Sequence, residues 1–582
     1  MGNTSIDPKI LERAKVWLEG NYDEETKKEV QELIDTDPDG LTDAFYKDLE
    51  FGTGGLRGVM GAGINRMNKY TVGMATQGFV NYLKKMFPGK DPVKVAIAYD
   101  SRNNNTFFAN TAADVFSANG IKVYLFDDLR PTPELSFAIR YLKCQAGIVI
   151  TASHNPPEYN GYKAYWEDGG QLISPHDKNV IAEVNKIKSI DNVNFNRNED
   201  LIEIIGNKID KEYIARIKEL SLSPEIIKKQ QDLKIVYTPI HGTGVKLVPE
   251  ALKAFGFKNV YNVPEQDIVD GNFPTVKSPN PEEPAALNMA IEKAKEVNAS
   301  LVMASDPDGD RVGLAVRNDK NEFVLLNGNQ TATILIYYLL KKWKENGKIT
   351  GKEYIIKTIV TSEILKDIAV KNGVEYFDTL TGFKYLAEIL RLLEGKKTFI
   401  GGGEESYGYL VGDFVRDKDA VISCAFIAEI AAWAAEQGKT LYELLPEIYL
   451  EFGFYKERLL SVVRKGKKGE EEIKSMMEKY RKNPPKTINN SELVIIKDYL
   501  LSKEFDLITH SEKPIDLAKS NVLQFFLKDG TKISVRPSGT EPKIKFYFSV
   551  KENLPDKSKF EETDTLLEKK LDDIIQDLGF SS

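Results

Sequence analysis

Gly147-Ile-Val-Ile-Thr-Ala-Ser-His-Asn-Pro-Pro157 decides how this chain is read. Ile148, Val149 and Ile150 form a short β-branched run bounded by turn formers, which predicts a buried strand. Pro156 and Pro157 stop any helix and hold the chain extended after it. Ser153 is therefore expected on a loop at the carboxyl end of a strand, where open α/β sheets place their ligands. With His154 beside it and Lys163 downstream, this serine has the surroundings of a nucleophile near an acid/base group. The same residue types also make an ordinary polar turn, so the decision rests on the rest of the chain.

Strands and helices alternate around this stretch. Val93 to Tyr99 reads as a strand, Thr106 to Ala118 as a helix closed at Gly120, Ile121 to Phe126 as a strand and Thr132 to Leu142 as a helix. Such alternation predicts a mainly parallel, doubly wound sheet. Asn160 to His176 is turn-rich and aromatic, and a hairpin there would return Lys163 to Ser153. His176, next to Pro175, reads as structural. Upstream, residues 7 to 35 read as helical from the Asp7-Pro8 cap, and Asp37-Pro-Asp-Gly40 reads as a turn. Phe51-Gly-Thr-Gly-Gly-Leu-Arg-Gly58 does not fit a dinucleotide-binding pattern. Its glycines would let Arg57 and the backbone approach an anion, or simply make a Gly-rich turn with a surface arginine.

The polar stretch Ser189 to Lys208 reads as a linker to a second α/β unit. There the buried strand Ser300 to Ser305 delivers Asp306-Pro-Asp-Gly-Asp310-Arg311. Three carboxylates on alternate residues of one loop suit a hard divalent cation, and without one they would repel. An EF-hand is excluded, because Arg311 and Arg317 stand where it needs Gly and Glu and the flanks read as strands. Oxygen-only ligands beside a phosphoryl group make Mg²⁺ the expected ion. A helix from Asn327 to Trp343 opens a third unit, with strands at Tyr354 to Val360 and Val374 to Phe377, and Ile422 to Ala435 reads as an Ala-rich packing helix. Its loops carry Thr379-Leu-Thr-Gly-Phe-Lys384 and Thr398-Phe-Ile-Gly-Gly-Gly-Glu-Glu-Ser-Tyr-Gly408, the latter no Walker A motif. The lysine- and glutamate-rich stretch Arg464 to Pro485 marks a final domain. It contains Val535-Arg-Pro-Ser-Gly-Thr-Glu-Pro-Lys-Ile-Lys545, whose arginine, hydroxyls and free backbone N–H groups suit a phosphate.

The motif Thr151-Ala-Ser-His-Asn-Pro resembles the active-site loop of the α-D-phosphohexomutase superfamily, in which the serine carries a phosphoryl group. The Asp306 loop, the Thr-Gly-aromatic-Lys and Gly-Glu-x-Ser loops and the Arg-x-Ser-Gly-Thr loop resemble that family's motifs and stand in its order. With the Arg57 segment, the resemblance spans residues 51 to 545. It implies an α/β protein of four domains around a central cleft. Three are related α/β domains with mixed four-stranded sheets (1–208, 209–325 and 326–452), and the fourth is a C-terminal α+β domain (453–582). It implies the interconversion of α-D-glucose 1-phosphate and glucose 6-phosphate, with glucose 1,6-bisphosphate as intermediate and activator. The roles it implies are these. Ser153 is the phosphoryl carrier and, with Asp306, Asp308 and Asp310, a metal ligand. Arg57, Arg311, His154, Lys163 and Lys384 are catalytic. Thr381, Gly382, Glu404 and Ser406 hold the sugar, and Arg536, Ser538, Gly539 and Thr540 hold the stationary phosphate. Glu405 and Tyr407 resemble glucose-type loops, with mannose and pentose phosphates as the alternatives. A metal-dependent phosphatase and a silent sugar-phosphate binder remain the readings from other classes.

Length and composition agree with this. A chain of 582 residues is too long for one core, and 42% hydrophobic and 29% charged residues are ordinary for a globular protein. A net charge of −8 argues against a nucleic-acid partner. The only cysteines, Cys144 and Cys424, sit in apolar surroundings, which fits buried thiols in a reducing compartment. No apolar run reaches membrane-spanning length. Charges interrupt Ile10 to Leu18, so no signal-peptide core is expected, and Ile6 breaks a myristoylation motif. The expectation is a cytoplasmic monomer or weak homodimer with a phosphosugar as its partner.

Overall fold

The computed structural model describes residues 6–52, 54–464, 466–538 and 543–580. Ala146–Ile150 is a fully buried strand, as its β-branched run requires. It lies parallel to Lys94–Tyr99 and antiparallel to Tyr159–Trp166. The full order of this first sheet is Gly55–Val59, Tyr159–Trp166, Ala146–Ile150, Lys94–Tyr99, Lys122–Phe126, Ile202–Ile205.

The second and third sheets repeat one plan. In each, a central first strand has the second strand parallel on one side and the third parallel on the other, and the third pairs with an antiparallel fourth. In the second sheet these are Lys234–Thr238, Asn259–Asn262, Leu301–Ser305 and Val312–Arg317. In the third they are Glu353–Thr358, Glu375–Thr379, Thr398–Gly403 and Tyr409–Val411. The Ser153 loop, the Asp306 loop and the Glu404 loop therefore occupy one equivalent position, between third and fourth strands. Threefold repetition of the plan is what points three different chemistries at one cleft.

Four strands per sheet holds only for this common unit; the sheets have six, five and four strands. Gly55–Val59 and Phe323–Leu326 pair outside the antiparallel strands, and Ile202–Ile205 pairs beside Lys122–Phe126. Each satisfies backbone groups that an edge would leave open. Ser189 to Lys208 is thus no plain linker, since it supplies one of these strands. Residues 7 to 35 form two helices, Pro8–Glu19 and Glu24–Thr36, because Asp23 caps a fresh start on Thr26 N at 2.8 Å. Asp37-Pro-Asp-Gly40 is not an isolated turn either. Asp37 accepts from Gly40 N at 2.9 Å and opens the helix Pro38–Phe45 with proline in its first turn.

The helix Ala420–Glu436 is buried from Ala420 to Ala434 and sits in a core that runs through all three α/β units. Among the described residues, no single helix is long and apolar enough to cross a membrane. The C-terminal region is an antiparallel eight-stranded sheet running from Phe454–Val463 at one edge to Ser511–Pro514 at the other, with helices Gly466–Lys482 and Phe560–Asp577. It is pinned to the third unit by the buried Lys532, whose Nζ donates to Ile359 O at 3.1 Å, Thr361 O at 3.2 Å and Glu363 Oε1 at 2.6 Å.

Candidate active site

The serine loop is built by local hydrogen bonds. Thr151 Oγ1 donates to Asp100 Oδ2 at 2.5 Å and accepts from Ser153 N at 2.8 Å. Ser153 has φ +53°, a left-handed conformation that costs a non-glycine residue about 1 kcal/mol or more. Its Oγ donates to Asp306 Oδ2 at 2.9 Å and lies 3.4 Å from His154 Nδ1. Arg57 reaches the same loop through Asn155 Oδ1 at 3.1 Å, its strand held beside the hairpin that carries Lys163. Lys163 does return to the loop, on the strand Tyr159–Trp166, which pairs antiparallel with Ala146–Ile150 and sets it opposite Val149. His176 stays outside this site; it stacks on Trp166 at 4.1 Å between ring centres and lies 2.8 Å from the Tyr82 hydroxyl.

Asp306, Asp308 and Asp310 are all buried, with carboxylate oxygens within 4.8 Å of one another. Lys163 Nζ sits 2.6 Å from Asp308 Oδ2 and 3.7 Å from Asp310 Oδ2, and Lys418 Nζ sits 3.1 Å from Asp310 Oδ2. Burial and the neighbouring carboxylates hold the Asp306 carboxyl well above the usual range. Burial also opposes the Asp308 anion, but the Lys163 ammonium outweighs it and keeps that carboxyl below the usual range. Asp308 Oδ1 and Asp310 Oδ1 are buried without a hydrogen-bond partner among the described residues. Two orphaned anionic oxygens beside Ser153 are what a divalent cation would satisfy, so the residues present fit a hard metal ion. The loop itself is gripped from the first unit. Thr132 N donates to Asp308 O at 2.9 Å, and Thr132 Oγ1 to Asp308 Oδ2 at 3.2 Å. Gly309 has φ +65°, and a Cβ there would lie 2.8 Å from Pro131, so glycine is required.

Two adjoining cavities form the cleft. One, of about 350 Å³, is lined by Arg57, Ser153, His154, Lys163, Arg311, Glu404 and Lys418 among others. The other, of about 620 Å³, shares His154, Arg311, Gly382 and Glu404 with it and extends past Thr381, Ser406 and Tyr407 to Arg536, Lys545 and Tyr547. Glu404 Oε1 accepts from Gly382 N at 2.8 Å, and burial raises its carboxyl. Glu405 turns instead to Thr358 Oγ1 and Thr361 Oγ1, at 3.0 and 3.1 Å. Of the two adjacent glutamates, only Glu404 faces both cavities. Arg311 is steered by Glu282, at 2.7 Å. Burial and the Arg311 and Arg57 cations push His154 down to about 3.

Two expected residues lie elsewhere. Lys384 is on the helix Phe383–Leu393 with its ammonium 5.2 Å over the Tyr385 ring, and it lines neither cavity. Ser538 lines a separate groove of about 430 Å³ beside Ile473 and Met477, not the wall that carries Arg536. Ser538 lies just past the end of the strand Lys532–Pro537, so strand alternation does not set its side. Gly539 and Thr540 lie outside the described residues. Conversely, the cleft wall and the support behind the serine loop contain residues not foreseen. Lys418 comes from Asp417-Lys-Asp419, a charged triplet just before the buried, Ala-rich helix Ala420–Glu436. Asp100 and Arg102 come from Asp100-Ser-Arg102, directly after a buried strand. Charges at such junctions were the available signal.

Comparison with known proteins follows from this geometry. Residues 48–191, 211–320 and 327–452 match, in order, the family domains described as phosphoglucomutase/phosphomannomutase, alpha/beta/alpha domains I, II and III. A phosphoglucomutase of Staphylococcus haemolyticus is 39% identical over 510 residues, covering 87% of this chain and 91% of that protein. One from Staphylococcus aureus is 38% identical over 540 residues, covering 92% and 95%. Two crystal structures share the fold. The phosphoglucomutase parafusin of Paramecium, in an open form, has a TM-score of 0.67 at 18% identity over 91% of this chain and 96% of its own. A phosphoglucomutase/phosphomannomutase family protein of Burkholderia thailandensis has a TM-score of 0.65 at 20% identity over 91% and 98%. With three matched domains and a serine, a buried Asp triplet and a Gly-Glu loop at equivalent turns of one repeated sheet, the chain belongs to the phosphoglucomutase/phosphomannomutase family, the α-D-phosphohexomutases, and is a phosphotransferring isomerase.

Proposed function

We propose that this enzyme is a phosphoglucomutase, interconverting α-D-glucose 1-phosphate and glucose 6-phosphate through phosphorylated Ser153 and a glucose 1,6-bisphosphate intermediate. The observation that carries it is the 2.9 Å contact between Ser153 Oγ and Asp306, at one end of a cleft whose other end holds Arg536. The 6-hydroxyl of bound glucose 1-phosphate attacks the phosphoserine. The O6–P bond forms as the Oγ–P bond breaks, and the hydroxyl proton is relayed to Oγ. The bisphosphate turns over within the cleft. Ser153 Oγ then attacks the phosphoryl group on O1, and its proton ends on the freed O1. Asp306, Asp308, Asp310 and the phosphorylated serine would hold Mg²⁺, which offsets charge on the transferred group. Glucose 1,6-bisphosphate primes any enzyme whose serine has lost its phosphate.

Position in the cleft favours Lys163 or His154 over Lys384 as the proton carrier. Lys163→Ala is expected to lower kcat by about 10²–10⁴-fold, the usual worth of general acid–base catalysis, and Lys384→Ala by much less. Equal losses in steady-state assays would return Lys384 to the candidates.

Sugar preference divides between two loops. Arg536 meets a phosphate common to every substrate. Arg536→Ala is expected to lower kcat/KM for glucose, mannose and ribose phosphates by a similar factor, about 10–100-fold for one charged hydrogen-bonding contact. Glu404 faces hydroxyls, and a site built for one hydroxyl pattern penalises another. Glu404→Gln should therefore narrow or reorder the preference between glucose and mannose 1-phosphates. Unchanged ratios in Glu404→Gln with altered ratios in Arg536→Ala would reverse the assignment. The function itself is tested by a coupled assay of glucose 1-phosphate against mannose and ribose phosphates. Phosphate release without isomerisation would mark a phosphatase, and binding without turnover a silent binder.

A further inference from the structure

The serine loop is bent back on itself so that four of its carbonyl oxygens point at one place. Ser153, Asn155, Pro156 and Tyr159 all present their backbone oxygens to a single buried guanidinium, that of Arg102. Arg102 Nη2 donates to Ser153 O at 2.6 Å and to Asn155 O, and Nη1 donates to Pro156 O at 2.8 Å and Tyr159 O at 3.0 Å. Its side chain is fully buried. Arg102 does not line either cavity of the cleft, so it touches neither sugar nor phosphate. It acts on the reaction through the loop alone.

The guanidinium is itself located from two sides. Asp100, one strand end away, accepts from Arg102 N at 2.9 Å and lies 3.7 Å from its Nε, while its other bonds hold Thr151 and hence Ser153 N. From the second α/β unit, the ring of Phe273 covers the guanidinium, with 5.2 Å from Cζ to the ring centre. Phe273 is buried and has φ +50°, a conformation that persists only where its surroundings impose it. Gly271 lets this loop approach, because a Cβ there would lie 2.3 Å from Asn103 N. Asn103 Nδ2 also donates to Asn272 Oδ1 at 2.9 Å. The serine loop of the first unit is therefore clamped by an arginine that the unit bearing the Asp triplet holds in place.

We infer that Arg102 is the positioning residue of the phosphoryl carrier: its guanidinium holds four converging carbonyls of the Ser153 loop, and the Asp270–Phe273 loop seals it, so that Ser153 Oγ stays on the Asp306 side of the cleft and water stays off the phosphoserine. The inference rests on the mutase reading above. Planar, five-donor geometry is what the task needs; a lysine ammonium has three donors and no fork. Without the guanidinium, buried carbonyl oxygens lose their partners and face one another, and the loop must open. An opened loop has two chemical consequences. Transfer to the sugar slows because the phosphoryl group is misplaced. Water gains access to phosphorus: its oxygen bonds to phosphorus, the Oγ–P bond breaks, Oγ takes a water proton, and inorganic phosphate leaves. Sugar binding is untouched, since Arg536 and Glu404 are on other loops.

The test compares wild type with Arg102→Gln, Arg102→Lys and Phe273→Leu in the full chain, primed with glucose 1,6-bisphosphate. Four quantities are read: kcat and KM for glucose 1-phosphate, inorganic phosphate released per isomerisation, and melting temperature. Arg102→Gln is expected to lose about 100-fold in kcat, the scale of a 1 Å misplacement, with KM unchanged. Phosphate released per turnover should rise as kcat falls. Arg102→Lys should recover part of both, and Phe273→Leu should shift both in the same direction by less. If Arg102→Gln does not fold, the lysine and Phe273 variants decide on the same readings. Wild-type kcat in the arginine variants overturns the inference. So does a fall in kcat that tracks melting temperature while phosphate release per turnover stays at the wild-type value. An inert wild type would instead overturn the mutase reading on which all of this rests.

Discussion

Ser153→Ala is expected to lower kcat by about 10⁴-fold or more, the scale seen when a covalent nucleophile is removed, with the melting temperature nearly unchanged. The substitution deletes one oxygen. That oxygen's contacts are Asp306 Oδ2 at 2.9 Å and His154 Nδ1 at 3.4 Å, and neither holds the loop together. Backbone conformation does not penalise the change, since alanine and serine both pay for a φ of +53°. The loop's own supports, Thr151 Oγ1 on Ser153 N and Arg102 on Ser153 O, involve only the backbone of residue 153. What disappears is the atom that bonds to phosphorus. Intact-mass measurement after incubation with glucose 1,6-bisphosphate should show a phosphate-sized adduct on wild type and none on the alanine variant. Near-normal turnover by the variant, or an adduct on it, would mean that the phosphoryl group travels by another route.

Removal of divalent metal has an expected effect of similar rank. After EDTA and gel filtration, kcat should fall by about 10³-fold or more, given several kcal/mol of charge stabilisation, and Mg²⁺ should restore it. The physical ground is the cost of three buried carboxylates within 4.8 Å of one another. Lys163 and Lys418 neutralise part of that charge, at 2.6 and 3.1 Å, but Asp308 Oδ1 and Asp310 Oδ1 have no hydrogen-bond partner among the described residues. An ion that binds only the folded protein also stabilises it, by about 2.7 kcal/mol at a hundredfold excess over Kd. Mg²⁺ should therefore raise the melting temperature of wild type. Asp308→Asn should remove both that rise and the rescue of activity. Full activity after exhaustive chelation, or an unchanged Mg²⁺-dependent melting shift in Asp308→Asn, would remove the metal from this loop.

Much of this protein was legible without coordinates, and for a local reason. The runs Gly147–Ile150 and Ser300–Ser305 are short, β-branched or apolar, and followed by turn residues, so burial and chain direction follow from neighbours in sequence. Their loops then announce themselves by residue type: a serine beside a histidine, three aspartates on alternate positions, a glutamate on a glycine loop. The order of these motifs sufficed to identify the family and its α/β units. Other local signals were read correctly in kind and wrongly in extent. Asp37-Pro-Asp-Gly40 has the composition of a turn and of a helix start alike, and only the segment after it chooses, by burying Leu41, Ala44 and Phe45.

Tertiary structure alone decided which residues share the cleft. Lys163 is separated from Asp308 by 145 residues, and Thr132 from it by 176. Those distances close because the same four-stranded plan recurs three times and aims its third-strand loops inward. The side on which a residue falls is likewise a property of packing: Arg536 lines the cleft while Ser538 lines the groove under Gly466–Lys482, and Lys384 lines neither cavity of the cleft. Arg102 shows the same limit from the other direction. Nothing near it in sequence asks for a buried arginine, because the four carbonyls it satisfies belong to a loop some fifty residues further on, at separations of 51 to 57. A buried charge must find its partners in the fold, and the sequence around it records only that a charge is there.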